Sequence, residues 1–504
     1  MPVRTAIRLQ TIPLPRTASS VERRLLLWFV TSTAFLLVYM TLNWKFVPPV
    51  QKKPAQKPNA VAGDNADGVN VVEKDGDNAE AVADNDADEA VAPRPDPKLI
   101  TLGSMDPKSG YFILATLNNR GGTVERLELT ERDENGRFRY RRVDTTSGYL
   151  GYLALEPSSN RDGCVVHVVG PGSPASLAKP DDAAIGTGLQ VDDLIVAINA
   201  RAISDPDDFD RALSNTQPGD EVSLEVRRGA SDVIKFKVKL TEHPLDLVRL
   251  ASTGGADEVR GNISRLACRV TLSQIGNKSI PTGKLAIDGL EWLSEATYDH
   301  ELKIGDTQDI SFTLPLTSKQ LLGAVDGPLT ISRTYSVKPG SYLIDMNVAV
   351  QNGGSKPEKI AYRLEGPCGI TLEGWWYSTK ISPNFLGGAA ARDVIFNTER
   401  EGHTLISGYN LLKRAKNQPK DPNEVIFVAE DEAPAKALSY VGIDAQYFNV
   451  AYVPAADVPT FSGFQRLAAT LVAEAELIPA HQEQAADVSF FLDSIVAELP
   501  EGAT

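Results

Sequence analysis

The chain is poor in the residues that usually advertise chemistry. Its 504 residues include only three cysteines, four methionines, five histidines and five tryptophans. Cys164, Cys268 and Cys368 are scattered, odd in number and without metal-ligand spacing. They read as small buried hydrophobes and carry no information about redox compartment. His167, His243, His300, His403 and His481 show no paired spacing. His300-Glu301 begins like a zinc-hydrolase motif, but Ile304 stands where the second histidine belongs. No Gly-x-Ser-x-Gly marks a nucleophile, and no carboxylate pair stands out among the 66 acids. No enzymatic activity, metal or cofactor is expected. Basic residues are also in deficit, 51 against those 66 acids for a net charge of −15, which argues against a nucleic-acid partner. Much of the deficit is local, because ten acids lie between Asp64 and Glu89 against Lys74 alone.

Long apolar runs are scarce too. One exists, Leu25 to Leu42, uncharged over 18 residues, with Trp28 near one end and Trp44 beyond the other. That length just spans a hydrocarbon core, and indole rings favour its borders. A cleaved signal peptide is the alternative, but its small-residue cleavage site would follow closely, and Ala60-Val61-Ala62 lies too far on. An uncleaved anchor is therefore expected. Arg4, Arg8, Arg16, Arg23 and Arg24 precede it, and Lys45, Lys52, Lys53 and Lys57 follow. Five against four barely orients it; Arg23 and Arg24 abut the span and lean the N-terminus toward the cytoplasm. The bulk of the chain would then be periplasmic or exoplasmic, on an inner (plasma) membrane. Val47 to Asp96 has no aromatic residue and cannot bury enough apolar surface to fold. It reads as a tether or an unconstrained spacer, reaching about 40 Å as a random coil.

The length implies two or three domains. Tyr149-Leu150-Gly151-Tyr152 has the form of a carboxylate-binding loop, with Gly151 allowing close backbone approach. Gly170-Pro171-Gly172-Ser173-Pro174-Ala175 follows, then Gly188 to Asn199, then Asp205-Pro206-Asp207-Asp208-Phe209. Asp205 to Asn215 reads as a helix, capped by Ser204 or Asp205, with Phe209, Ala212 and Leu213 on one face. Val222, Leu224 and Val226 alternate, then Ile234, Phe236, Val238 and Leu240, as a hairpin does. In this order the motifs resemble a bacterial PDZ domain. The resemblance implies that the Leu150, Gly151 and Tyr152 N–H groups, in the Tyr149–Tyr152 loop, hold a peptide's terminal carboxylate. It also implies that Tyr152 to Glu156 forms the strand a peptide extends. Leu153, Ala154, Leu155, Phe209, Ala212 and Leu213 would line the groove. A purely structural insert is the competing reading, and the acidic, alanine-rich Pro180 to Gly186 departs from the pattern.

The remainder, 98–145 and 244–497, reads as mainly β. Leu329, Ile331, Arg333, Tyr335 and Val337 alternate, Pro339-Gly340 turns, and Tyr342, Ile344, Met346, Val348 and Val350 alternate back. Leu329 to Tyr335, Gly340-Ser341-Tyr342, Val350-Gln351-Asn352 and Ser439 to Pro454 resemble the periplasmic domain of the YidC membrane-protein insertases. So do Asp106 to Gly110 and Arg120 to Leu129. The resemblance implies a β-supersandwich, like galactose-mutarotase-type domains, interrupted by the PDZ-like module at 146–243. Before it come residues 1–24, a transmembrane helix at 25–44 and an acidic linker at 45–97; a tail at 498–504 follows. No second apolar span is present, and Leu467 to Leu477 is too short and broken by Glu474 and Glu476. The family's insertase bundle and its groove arginine therefore have no counterpart here. The chain reads as a stand-alone paralogue, a split half or a truncated form, not expected to insert proteins alone.

The function implied is a membrane-anchored, chaperone-like interaction module associated with membrane-protein insertion. Its implied partners are peptide C-termini, Sec translocon components and a separate insertase core. An envelope protease adaptor and a carbohydrate-binding β-sandwich are the alternatives. Trp375-Trp376 has two readings, core packing or a partner surface.

Overall fold

The computed structural model describes residues 94–502, apart from 144, 161, 230–232, 250–266, 372–391, 399–401, 430–437, 446, 456–462 and 479–482. The Leu25–Leu42 run, nearly all of the linker, and Trp375 and Trp376 lie outside the described residues. Among the described residues, no helix is long and apolar enough to cross a membrane.

The architecture is mainly β. Strands β1 (Leu99–Gly103), β2 (Ile113–Asn118) and β3 (Thr123–Leu129) form an antiparallel meander. The chain then leaves for a separate seven-stranded sheet. Its strands are β4 (Glu156–Pro157), β5 (Cys164–Val165), β6 (Lys179–Pro180), β7 (Leu194–Ile198), β8 (Arg201–Ala202), β9 (Glu221–Arg227) and β10 (Val233–Lys239). They pair in the order β4-β5-β7-β9-β10-β6, with β8 on β7. The helix Pro206–Leu213 belongs to the same module, and Asp205 caps it by accepting from Asp208 N at 2.7 Å. The chain returns as β11 (Leu245–Val248), which pairs directly with β3. The excursion is thus an insertion between two neighbouring strands of one sheet.

The later chain builds three further sheets. One is the meander Asp299–Ile304, Gln308–Leu316, Leu329–Val337 and Ile344–Asn352. Leu329–Val337 alternates buried and half-buried residues throughout, as period-2 patterning requires. Tyr342, expected to continue the alternation, lies before the return strand and is exposed. Pro339-Gly340 forms the turn, and its following residues reach toward β1–β3 instead, where the Tyr342 hydroxyl donates to Glu131. The run from Leu467 to Leu477 falls within the strand Phe464–Ile478, paired with Glu483–Ser494.

One hydrophobic cluster gathers Leu102, Leu127, Leu272, Phe312, Leu329, Phe396, Val441 and Phe490, drawing on all four host sheets. The insert has its own core, including Cys164, Ile195, Leu224 and Phe236. Buried arginines span the host. Arg363 grips Asp493 at 2.6 and 2.9 Å, and Arg269 grips Glu365 at 3.0 to 3.2 Å. Arg333, at an inward position of the meander, is fully buried and donates to the Gly121 carbonyl at 2.9 Å and the Cys268 carbonyl at 2.6 Å.

Candidate peptide-binding site

The Tyr149–Tyr152 loop sits at the seam between insert and host. Tyr149 exchanges backbone hydrogen bonds with Thr241, at 2.8 and 3.1 Å, closing the two ends of the insert together. Leu150 is buried in the insert core, and its carbonyl accepts from Ala175 N at 2.8 Å. Gly151 has φ +117°, a conformation that favours glycine. The N–H groups of Leu150, Gly151 and Tyr152 donate to no acceptor among the described residues. A run of unpaired amides in a glycine loop is the chemistry of a carboxylate cradle.

The proposed groove residues come together, but not all as open walls. Leu153, Phe209 and Leu213 are buried members of the insert core, while Leu155 and Ala212 are half-buried against it. The strand expected over Tyr152 to Glu156 is shorter than the sequence suggests, with regular pairing limited to Glu156–Pro157 against Cys164–Val165. Ala154 explains this, because its φ of +47° breaks the pleat. The Leu153 carbonyl still accepts from His167 N at 3.0 Å and Val168 N at 3.3 Å. The Ala154 N–H has no acceptor among the described residues, which leaves it able to meet an added strand.

The host side of the seam was not expected from the sequence. The Tyr152 hydroxyl donates to Glu125 Oε1 at 2.6 Å, and the Tyr149 hydroxyl donates to Glu128. Arg126 lies over the Tyr152 ring at 4.7 Å. All three host residues belong to β3, where a bulge at Glu125 skips one residue of the register against β2. The bulge reverses side-chain parity, so Val124, Leu127 and Leu129 stay in the host core while Arg126 and Glu128 lie on the opposite face, against Tyr152 and Tyr149. Glu128 lies directly across from Asp246. Two acids so placed repel, and Arg126 offsets this at 3.2 Å from Asp246 and 3.7 Å from Glu128, with Arg142 and Arg249 at 3.5 and 3.6 Å from Asp246. Burial raises the Glu128 pKa and drives that of Tyr149 well above the usual phenol value.

A second contact seals the seam. Pro171 O accepts from Met105 N at 2.8 Å and from Ser104 Oγ at 3.2 Å. Gly172, at φ +75°, approaches Asp106 so closely that a Cβ would stand 2.0 Å from its backbone nitrogen. Met105, Leu114, Phe138 and Tyr149 form a small apolar cluster there. Elsewhere in the insert Asp193, fully buried, is held in a fork by Arg228 at 2.8 Å. Cys164, fully buried, has its thiol pushed up to about 11 by burial and then by Asp205, Asp208 and Asp210, which makes it an inert packing residue.

Residues 151–240 match the family model described as PDZ domain. The chain therefore carries a PDZ domain, a module of peptide or protein interaction. No curated protein matches the chain. Among solved structures it is similar to a galactose mutarotase-like protein from Lactobacillus casei ATCC 334, at 8% identity and a TM-score of 0.33, covering 80% of this chain and 96% of that one. It is also similar to a GalM/aldose epimerase homologue from C. elegans, at 12% identity and a TM-score of 0.24, covering 79% and 90%.

Proposed function

We propose that this chain holds the free C-termini of peptides in its PDZ groove, and does so beside a membrane as part of membrane-protein insertion or folding. The observation that carries the first half is the set of unpaired N–H groups at Leu150, Gly151 and Tyr152, within a domain that matches the PDZ family. Anion binding by backbone amides needs no charged side chain and selects a terminal carboxylate over an internal segment. The second half rests on the sequence: the apolar Leu25–Leu42 run as anchor, the acidic linker as tether, and the resemblance of the host strands to the insertase periplasmic domain. In this reading the anchor and tether keep the groove near the membrane on the exoplasmic side, and the chain acts by binding.

The test is a titration of the full-length chain in detergent micelles with short fluorescent peptides ending in Val, Leu, Ala or Phe. Each peptide is used as the free acid and as the C-terminal amide. Tight binding of acids and weak binding of amides is expected. Equal affinity for the two forms removes the reading.

A further inference from the structure

We propose that Glu125 and Glu128 of the host are positioning residues of the peptide-carboxylate site, fixing the direction of the Leu150, Gly151 and Tyr152 N–H groups through the two tyrosine hydroxyls. The inference rests on the peptide-tail reading and deepens it, because it makes the site the joint property of two domains.

Hydrogen bonds weaken steeply as donor and acceptor lose alignment, so amides must be aimed to hold an anion. These amides belong to no strand or helix, and the central one is a glycine with a permissive backbone. The insert holds the centre, because the Leu150 carbonyl accepts from Ala175 N at 2.8 Å and so fixes the peptide plane of the Gly151 N–H; the two flanks supply the rest. At one flank, Tyr149 is fixed by its backbone exchange with Thr241 and by its hydroxyl on buried Glu128. At the other, Tyr152 is fixed by its hydroxyl on Glu125, 2.6 Å away, and by Arg126 stacked over its ring.

The acids are themselves held. Glu125 Oε2 accepts from Asn118 Nδ2 at 2.9 Å on the neighbouring strand. Glu128 sits against Arg126 and opposite Asp246. Both acids are buried, so each is costly to place without a partner. The β3 bulge presents them together to the loop. Each tyrosine hydroxyl thus ends on an acid side chain that is itself held, so each flank is a firm strut.

The experiment uses the same full-length chain and the same acid and amide peptides. Tyr152→Phe removes only a hydroxyl and keeps the ring under Arg126. Its affinity for free acids is expected to fall about five-fold, the equivalent of one ordinary hydrogen bond, while affinity for the amides stays the same. Glu125→Ala, which removes the acceptor, should give a similar loss. The double variant Y152F/E125A should lose no more than either single one, since Glu125 acts through Tyr152. Tyr149→Phe is expected to repeat the selective loss from the other flank. An unchanged acid-to-amide ratio in Y152F and Y149F, beside a wild type that discriminates, overturns the proposal and leaves the peptide-tail reading standing. Equal losses for acids and amides, or additive losses in the double variant, overturn it as well by reducing the contacts to general scaffolding. A wild type that does not discriminate overturns the peptide-tail reading, and the proposal with it.

Discussion

Single residues carry much of what this molecule stakes on its interior. The Arg363–Asp493 pair is buried, bidentate and stacked, with Arg363 lying 3.9 Å over the Phe491 ring. Asp493→Ala leaves the guanidinium buried without its counter-ion and should cost about 3–5 kcal/mol, readable as a fall in the urea midpoint. Gly172 is a second such point. Gly172→Ala combines a Cβ at a positive φ with a clash against the Asp106 backbone, and should cost about 3 kcal/mol; a melting temperature equal to wild type would disprove the close approach. Glu128 gives a pH signature. Its folded pKa is raised above 4.5 by burial, so its contribution to stability is fully present below 4.5 and is lost as pH rises through the folded value. Glu128→Gln keeps an acceptor for Tyr149 and removes the titration. The difference in unfolding free energy, wild type minus variant, should therefore decline as pH rises from about 4.5 toward neutrality.

At the scale of elements, the helix Pro206–Leu213 depends on its start. Asp205→Ala removes the cap on Asp208 N and should destabilise the insert by about 1 kcal/mol, seen as faster amide exchange in Phe209 to Leu213. The helix was legible beforehand because its signals are local: a capping aspartate, proline in the first turn, and Phe209 and Leu213 one turn apart. The meander from Leu329 to Val350 was legible for the same reason, since alternation is a property of adjacent residues. The β3 bulge was not. Val124-Glu125-Arg126-Leu127-Glu128-Leu129 reads as an alternating strand whose apolar face falls out of step at one residue, and that slip was the available signal. What Glu125 and Glu128 do depends on tyrosines 27 and 21 residues further on, and Arg363 on an aspartate 130 residues away. No local pattern encodes such partners. The Ala154 kink has no counterpart in the sequence pattern, because alanine carries no preference for a positive φ.

For the molecule as a whole, the decisive fact is where the PDZ domain enters and leaves. Tyr149 pairs with Thr241, Arg141 bridges Pro244, and β3 pairs with β11 immediately beyond. Excision of 146–243, with a short Gly-Ser bridge in its place, should leave a folded host, checked by its far-ultraviolet circular dichroism and a cooperative melt. The same geometry governs the order in which the chain can reach its native state. While the insert is unfolded, Leu129 and Leu245 stand at the ends of a long loop, and joining them carries the full entropy of closing it. Once the insert folds, Tyr149 and Thr241 are bridged side by side at its two ends, and only the segments 130–148 and 242–244 remain to be closed. Folding of the insert ahead of its host is therefore expected to ease closure of the β3–β11 pair, and loss of the insert's core should slow that pairing, read as a slower refolding phase.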